Sequence, residues 1–242
     1  MEPVKAEKLW KLVYTQLQKE IFDMAPGENR LPSEEELSRN LGISRATVRE
    51  ALQALIADGY VTRRHGKGNF GHPSVQRLQS RIDQVEDFIQ LLSTPQAQAT
   101  CRCLRAEYGA PSQGMWRYFP VAVEQVYRQT WVYSLEGRPR IVCRLETPAA
   151  LLKSSPPVFE TVQPEQLYLR PWLESHCETD IAYISASMAC GTDKEAAALF
   201  SLDEHHAMMT WREIVYDLQD APITYVDVFF HPEEHLSLSM RL

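Results

Sequence analysis

Leu9, Val13, Leu17 and Ile21 recur every four residues, with Leu12 and Met24 beside them. That spacing gathers apolar side chains on one side of a helix over about residues 4–24, and Pro26-Gly27 marks its end. A second helix opens after Ser33, whose hydroxyl can cap while Glu36 reaches back as in a capping box, and it stops near Gly42. The third helix is the most legible. Ser44 is a natural N-cap, Val48, Ala51, Leu52, Leu55 and Ile56 follow the i, i+3, i+4, i+7, i+8 stripe of a buried face, and Gly59 stands where a helix closes. Arg45, Ala46, Arg49 and Gln53 fall in an arc largely clear of that stripe.

Next, Tyr60-Val61-Thr62-Arg63-Arg64 and Asn69-Phe70 flank His65-Gly66-Lys67-Gly68, a short basic hairpin with glycines where the backbone turns tightly. Three helices followed by such a hairpin predict a winged helix-turn-helix over residues 1–72. Val75, Leu78, Ile82, Val85, Ile89 and Leu92 then alternate spacings of three and four, which predicts a linker helix over 73–94. From Thr94 onward small residues enter, and period-two patterns predict strands at 125–135, 140–145, 181–187, 208–218 and 223–230. A late helix begins with Thr192 as its cap and packs Ala196, Leu199 and Phe200. Tyr133-x-Leu135-x-x-x-Pro139 and Tyr216-x-Leu218-x-x-x-Pro222 repeat one strand–turn–strand pattern, a hint of duplicated antiparallel hairpins. The chain reads as α+β, with an antiparallel-sheet domain over residues 95–242.

Composition adds a few exclusions. With 44% apolar and 24% charged residues in 242, the chain is neither fibrous nor disordered. No run is long enough to span a membrane, and the first thirty residues mix charges where a signal peptide has an apolar run, so a cytoplasmic chain without a membrane partner is expected. Five cysteines without a CxxC pair suit buried free thiols in a reducing compartment. The net charge of −7 is unevenly spread: residues 1–75 hold 11 basic and 10 acidic side chains, the remainder 14 and 22. Within 44–67 five cations (Arg45, Arg49, Arg63, Arg64, Lys67) face two acids (Glu50, Asp58), so a polyanion is expected at one place on an acidic molecule.

Leu31-Pro32-Ser33-Glu34, Leu37, Ile43-Ser44-Arg45, Thr47-Val48-Arg49, Ala51-Leu52, Leu55, Asp58-Gly59 and Gly66-Lys67-Gly68 resemble the GntR family of bacterial transcription regulators over about residues 9–71. The strand-rich second half resembles the effector domain of the family's HutC branch, the UTRA domain, a chorismate-lyase-like antiparallel sheet. The resemblance implies a homodimeric, ligand-responsive regulator, a repressor by preference, on near-palindromic double-stranded operator DNA. An activator of the same family, or a metabolite-binding protein or enzyme whose N-terminal module serves assembly, stays open. The chemistry of DNA reading singles out Arg45 for a guanine edge, Arg49 for a base or phosphate, Ser33, Ser44, Ala46 and Thr47 for the helix N-termini, and His65, Gly66, Lys67 and Gly68 for the minor groove. Where the family's pattern has an arginine after Pro-Ser-Glu, this chain has Glu35.

For the effector, the resemblance points to Arg128, Trp131, Tyr133, Arg144, Tyr183, Ser185 and Thr224. Trp131 and Tyr133 stand where relatives often place arginines, and Cys143 and Thr224 where they place glutamates. Such a lining suits an apolar, aromatic or cationic metabolite better than a sugar phosphate, although the aromatics equally suit a core. His205-His206 and His231-x-x-x-His235 lack the spacing of a metal site. No nucleophile elbow, phosphate loop or dinucleotide fingerprint occurs. No catalytic residue, metal or cofactor is expected.

Overall fold

Ser33 and Ser44 start the second and third helices for the reason their hydroxyls suggest. In the computed structural model, Ser33 Oγ accepts from Glu36 N at 3.2 Å while Glu36 Oε2 accepts from Ser33 N at 2.8 Å. Ser44 Oγ accepts from Thr47 N at 3.2 Å. The structure describes residues 4–238 except 26, 77, 79–80, 83–86, 120–121 and 154–167. Two compact units are present, Met1–Gln84 with His235–Leu242, and Val85–Glu234.

The first unit holds α1 (Val4–Phe22), α2 (Glu34–Leu41), α3 (Arg45–Ala57) and the hairpin β1 (Val61–Arg64) and β2 (Gly68–Gly71). Val13, Leu17 and Ile21 of α1 meet Leu37 and the Val48, Ala51, Leu52, Leu55 stripe in one core. Leu9 and Leu12, at the start of the α1 pattern, are exposed. Gly59, with φ +76°, closes α3 behind the C-cap Asp58. Gly71 brings β2 against α1 so closely that a Cβ there would stand 2.9 Å from Ile21 Cγ1.

The predicted helix over 73–94 is not one helix. Pro73–Gln76 (α4) and Phe88–Leu92 (α5) are helical, while Arg81 pairs with Ser237 in a β-bridge and Ile82 N donates to Ser237 O at 2.9 Å. The backbone donor thus goes to the C-terminal segment rather than to a preceding turn. Arg81 Nη2 bonds the Asp58 carbonyl at 2.9 Å and its guanidinium lies over the Tyr60 ring, which fixes this non-helical path. Val85 of the seam lies outside the described residues. The chain after Glu234, expected in the sheet domain, groups with the first unit.

The second unit is a six-stranded antiparallel sheet: β3 (Thr100–Gly109), β4 (Val126–Leu135), β5 (Arg138–Pro148), β6 (Ile181–Gly191), β7 (Met208–Asp217) and β8 (Pro222–Phe230) in the order β3-β4-β5-β8-β7-β6. Two meanders of three strands therefore meet at β5–β8, the layout the repeated hairpin pattern hinted at. α6 (Leu169–His176) and α7 (Lys194–Leu199) complete the unit; α7 is capped by Asp193, which accepts from Ala196 N at 2.9 Å, and not by Thr192. Side chains alternate between the faces. On the front face α7 packs on Val132, Val142 and Phe229, and the 3₁₀ turn Met115–Arg117 packs on Val126, Ile214 and Tyr225. On the back face Trp172 of α6 packs on Trp131 and Tyr127, and Phe88 of α5 on Tyr133, Trp211 and Phe230.

Candidate functional site

α3 presents Arg45 and Ala46 to solvent at its first turn, with Thr47 beside them. Arg45 has no hydrogen bond or ion pair among the described residues. Arg49 is held: its Nε and Nη2 donate to Glu34 Oε2 at 3.0 and 2.9 Å, while Arg63 of β1 donates to Glu34 Oε1 at 2.7 Å. One carboxylate thus ties α2, α3 and the hairpin together. The hydrogen bonds from Arg49, aided by the charge of Arg63, hold Glu34 below the usual carboxylate range. Glu35 lies in an exposed pair with Arg39 at 3.3 Å. At the hairpin tip Arg64, His65, Gly66 and Lys67 are all exposed. Gly66 (φ +72°) makes the turn, and Gly68 (φ +107°) lets the Arg30 guanidinium pack 3.4 Å from where a Cβ would stand. Ser33 and Ser44 stand at the helix N-termini, their hydroxyls engaged in the caps.

The front face of the sheet carries a cavity of about 250 Å³. Three arginines, Arg105, Arg128 and Arg144, and four carboxylates, Glu107, Glu146, Glu195 and Asp227, line it. Each arginine is already answered. Arg128 Nε donates to Glu146 Oε1 at 2.8 Å and its Nη2 to the Ala110 carbonyl at 2.7 Å. Arg105 pairs with Glu107 at 2.8 Å, and Arg144 with Asp193. An incoming anion would have to displace carboxylates already bonded in a half-buried place. Tyr183 and Ser185 belong to this side but lie on exposed β6, where Tyr183 stacks on Tyr216 at 4.8 Å and donates to Asp220.

The back face is different. Trp131, Tyr133 and Thr224 are buried there, with exposures of 0, 3 and 0%, and Thr224 shares a hydrogen bond with Thr147 at 2.9 Å. Several of its polar atoms have no partner among the described residues. Gln129 is buried with both amide atoms unbonded, and the indole nitrogens of Trp131 and Trp211 are unbonded as well. Cross-strand register sets Trp131, Cys143, Val228 and Trp211 in one row, and Gln129, Leu145, Val226 and Glu213 in the next. Glu213 is buried with no hydrogen bond or ion pair among the described residues, and burial alone pushes its carboxyl up to about 7. Burial first, and then the charge of Glu213, raise Cys143; burial, then the thiols of Cys101 and Cys143 and last the charge of Glu213, raise Tyr133.

Residues 11–70 match the model of the gntR family of bacterial regulatory proteins, and residues 96–235, more than half of the chain, match the UTRA domain. The chain belongs to the GntR family and carries a UTRA domain. The histidine utilization repressor of Pseudomonas putida is 49% identical over 65 residues, 26% of either chain. A fatty acid metabolism regulator protein of Haemophilus influenzae (strain PittEE) is 47% identical over 45 residues, 19% of either chain. The chain therefore matches about a quarter or less of these curated relatives. Among solved structures, YydK of Bacillus subtilis superposes over 99% of both chains with a TM-score of 0.72 at 13% identity. PhnF of Mycobacterium smegmatis does so over 95% of this chain and 99% of its own, with a TM-score of 0.55 at 20% identity. Both are likenesses of fold.

Within this UTRA domain the seven expected effector residues do not form one pocket. Arg128, Arg144, Tyr183 and Ser185 lie on the front, Trp131, Tyr133 and Thr224 on the back, because even and odd positions of a strand point to opposite sides. Gln129, Trp211 and Glu213 went unnoticed in the sequence, and so did Phe88, inside the expected linker helix. The available signal was an acid, Glu213, two residues from Trp211 and so on the same face of the strand expected over 208–218. Cys190 is exposed on β6 and Cys103 half-buried, while Cys101, Cys143 and Cys177 are buried free thiols. Among the described residues no three His, Cys, Asp or Glu converge as metal ligands, and no helix is long and apolar enough to cross a membrane.

Proposed function

We propose that this GntR-family protein is a cytoplasmic, ligand-responsive repressor and not an enzyme, binding a near-palindromic operator as a homodimer. The observation that carries this reading is the exposed Arg45, unpaired among the described residues, at the start of a helix whose opposite face is core, set beside a hairpin tip with exposed Arg64 and Lys67. Arg45 reads a guanine edge, Ala46 and Thr47 follow it into the major groove, Arg49 and the helix N-termini at Ser33 and Ser44 take phosphates, and His65 to Gly68 enter the minor groove. The homodimer is supported by β6. Its eleven residues, Ile181–Gly191, include no charge, they form an edge of the sheet, and Ile184 and Met188 are 46 and 52% exposed. A free edge normally carries charges that stop it pairing; this one is suited to pair antiparallel with its own copy about a two-fold axis. The effector, a small metabolite, is taken on the back face, where buried polar groups lack partners among the described residues, rather than in the ion-paired front cavity. A gel-shift series on DNA upstream of its own gene tests the reading. A complex that weakens steeply with added salt is expected, and absence of any complex at low salt overturns it.

A further inference from the structure

The leftover polar groups of the back face specify more than a place, and the ligand class they point to rests on reading that face as the effector site. Among the described strand residues, Glu213 is the one buried carboxylate on this side, and no Lys or Arg of the strands stands there to answer it. Its strand neighbours on this face, Val226, Ala186, Trp211 and Val215, are aromatic or apolar. Phe88, the first residue of α5, sits with its ring centroid 5.5 Å from Tyr133, 6.1 Å from Trp211 and 5.8 Å from Phe230, nearly perpendicular to all three. A benzyl group of the chain itself therefore already occupies an aromatic nest that includes Trp211, two residues along β7 from a carboxyl unanswered among the described residues. A buried carboxylate without a counter-charge is costly, and the faces of Tyr and Trp attract cations.

We propose that Glu213 is the charge-reading residue of the effector site, and that the effector is a small organic cation, an ammonium-type group on a ring or short alkyl body, which replaces the Phe88 ring among Tyr133, Trp211 and Phe230. The cation neutralises the carboxylate in a place that excludes water, and the unbonded indole nitrogens and Gln129 amide meet polar atoms of the ligand body. An anion meets only repulsion from Glu213. Expelling Phe88 moves the start of α5, the first helix of the sheet unit after the chain leaves the helical unit, and so couples ligand to the DNA-binding head.

The test uses the full chain and three probes sharing one ring: benzylammonium, benzyl alcohol and benzoate, followed by thermal unfolding and by quenching of tryptophan fluorescence. Benzylammonium is expected to half-saturate at a concentration at least about tenfold below the other two, Glu213→Gln to erase that preference, and Phe88→Ala to tighten benzylammonium because the nest is already vacated. Equal or better binding of benzoate or benzyl alcohol overturns the cation and leaves the effector site standing. A charge preference unchanged in Glu213→Gln overturns the role of Glu213. If no probe binds the parent protein or Phe88→Ala, the back face is not a ligand site and the underlying reading falls with the proposal. Because Phe88→Ala leaves Glu213 intact, the question stays decidable even where Glu213→Gln folds poorly.

Discussion

Arg45 and Arg49 are one helical turn apart, yet their situations differ. Arg45 is unpaired among the described residues, whereas Arg49 donates twice to Glu34. Arg45→Ala is expected to weaken operator binding by about 1–3 kcal/mol and to relax base preference at one position of each half-site, which a quantitative gel shift over single-base operator variants measures. Glu213 makes a different kind of prediction. Its folded-state carboxyl titrates at about 7 against an ordinary value of 4.5. Between those values the unfolded chain has lost a proton that the folded chain keeps, so stability from this group is present below pH 4.5 and lost as pH rises through 7, by about 3 kcal/mol in all. Cys143 and Tyr133, on the same face of the sheet, are held uncharged by burial and do not titrate in that window. Glu213→Gln is expected to flatten the fall in melting temperature between about pH 5 and 8. Arg45 was legible because a helix stripe fixes its direction from sequence alone. Glu213 was not, since an acid in a strand reveals its isolation only when the facing strands are in register.

Ser33 shows how much one element owes to its first residue. With both bonds of the capping box made, Ser33→Ala is expected to cost about 1 kcal/mol in the stability of the helical unit, read from urea unfolding. Gly71→Ala tests a different contact. A methyl group there would stand 2.9 and 3.0 Å from two carbons of Ile21, and crowding of that kind costs about 1–3 kcal/mol. The helices of the first unit were legible because caps and stripes are local. The linker helix was misread because its apolar seam has the right spacing, while Arg81 and Ile82 take partners at Asp58 and Ser237, which lie far away in sequence. β3 was missed for a related reason. As the sheet edge opposite β6 it carries Arg102, Arg105 and Glu107 among half-buried positions, so its alternation is weak. Parity along β4 would have separated Arg128 from Trp131 and Tyr133, but joining them to Thr224 and Glu213 needed the order of the strands.

At the scale of the whole molecule, the two meanders leave one edge charged and the other, β6, without charge. Ala186→Lys, in the middle of β6, is expected to yield monomers in sedimentation velocity and to lower operator affinity, because two half-sites then bind independently. A wild-type chain that sediments as a monomer removes β6 from this role. The Glu34 clamp has its own consequence for a protein of net charge −7. By holding two arginines of the proposed reading surface against a carboxylate, it is expected to shape that surface before DNA arrives and to lower its general attraction for phosphate. A searching regulator faces a vast excess of decoy sequences. Such a head is expected to linger little on them, trading grip for a quicker departure from the wrong address.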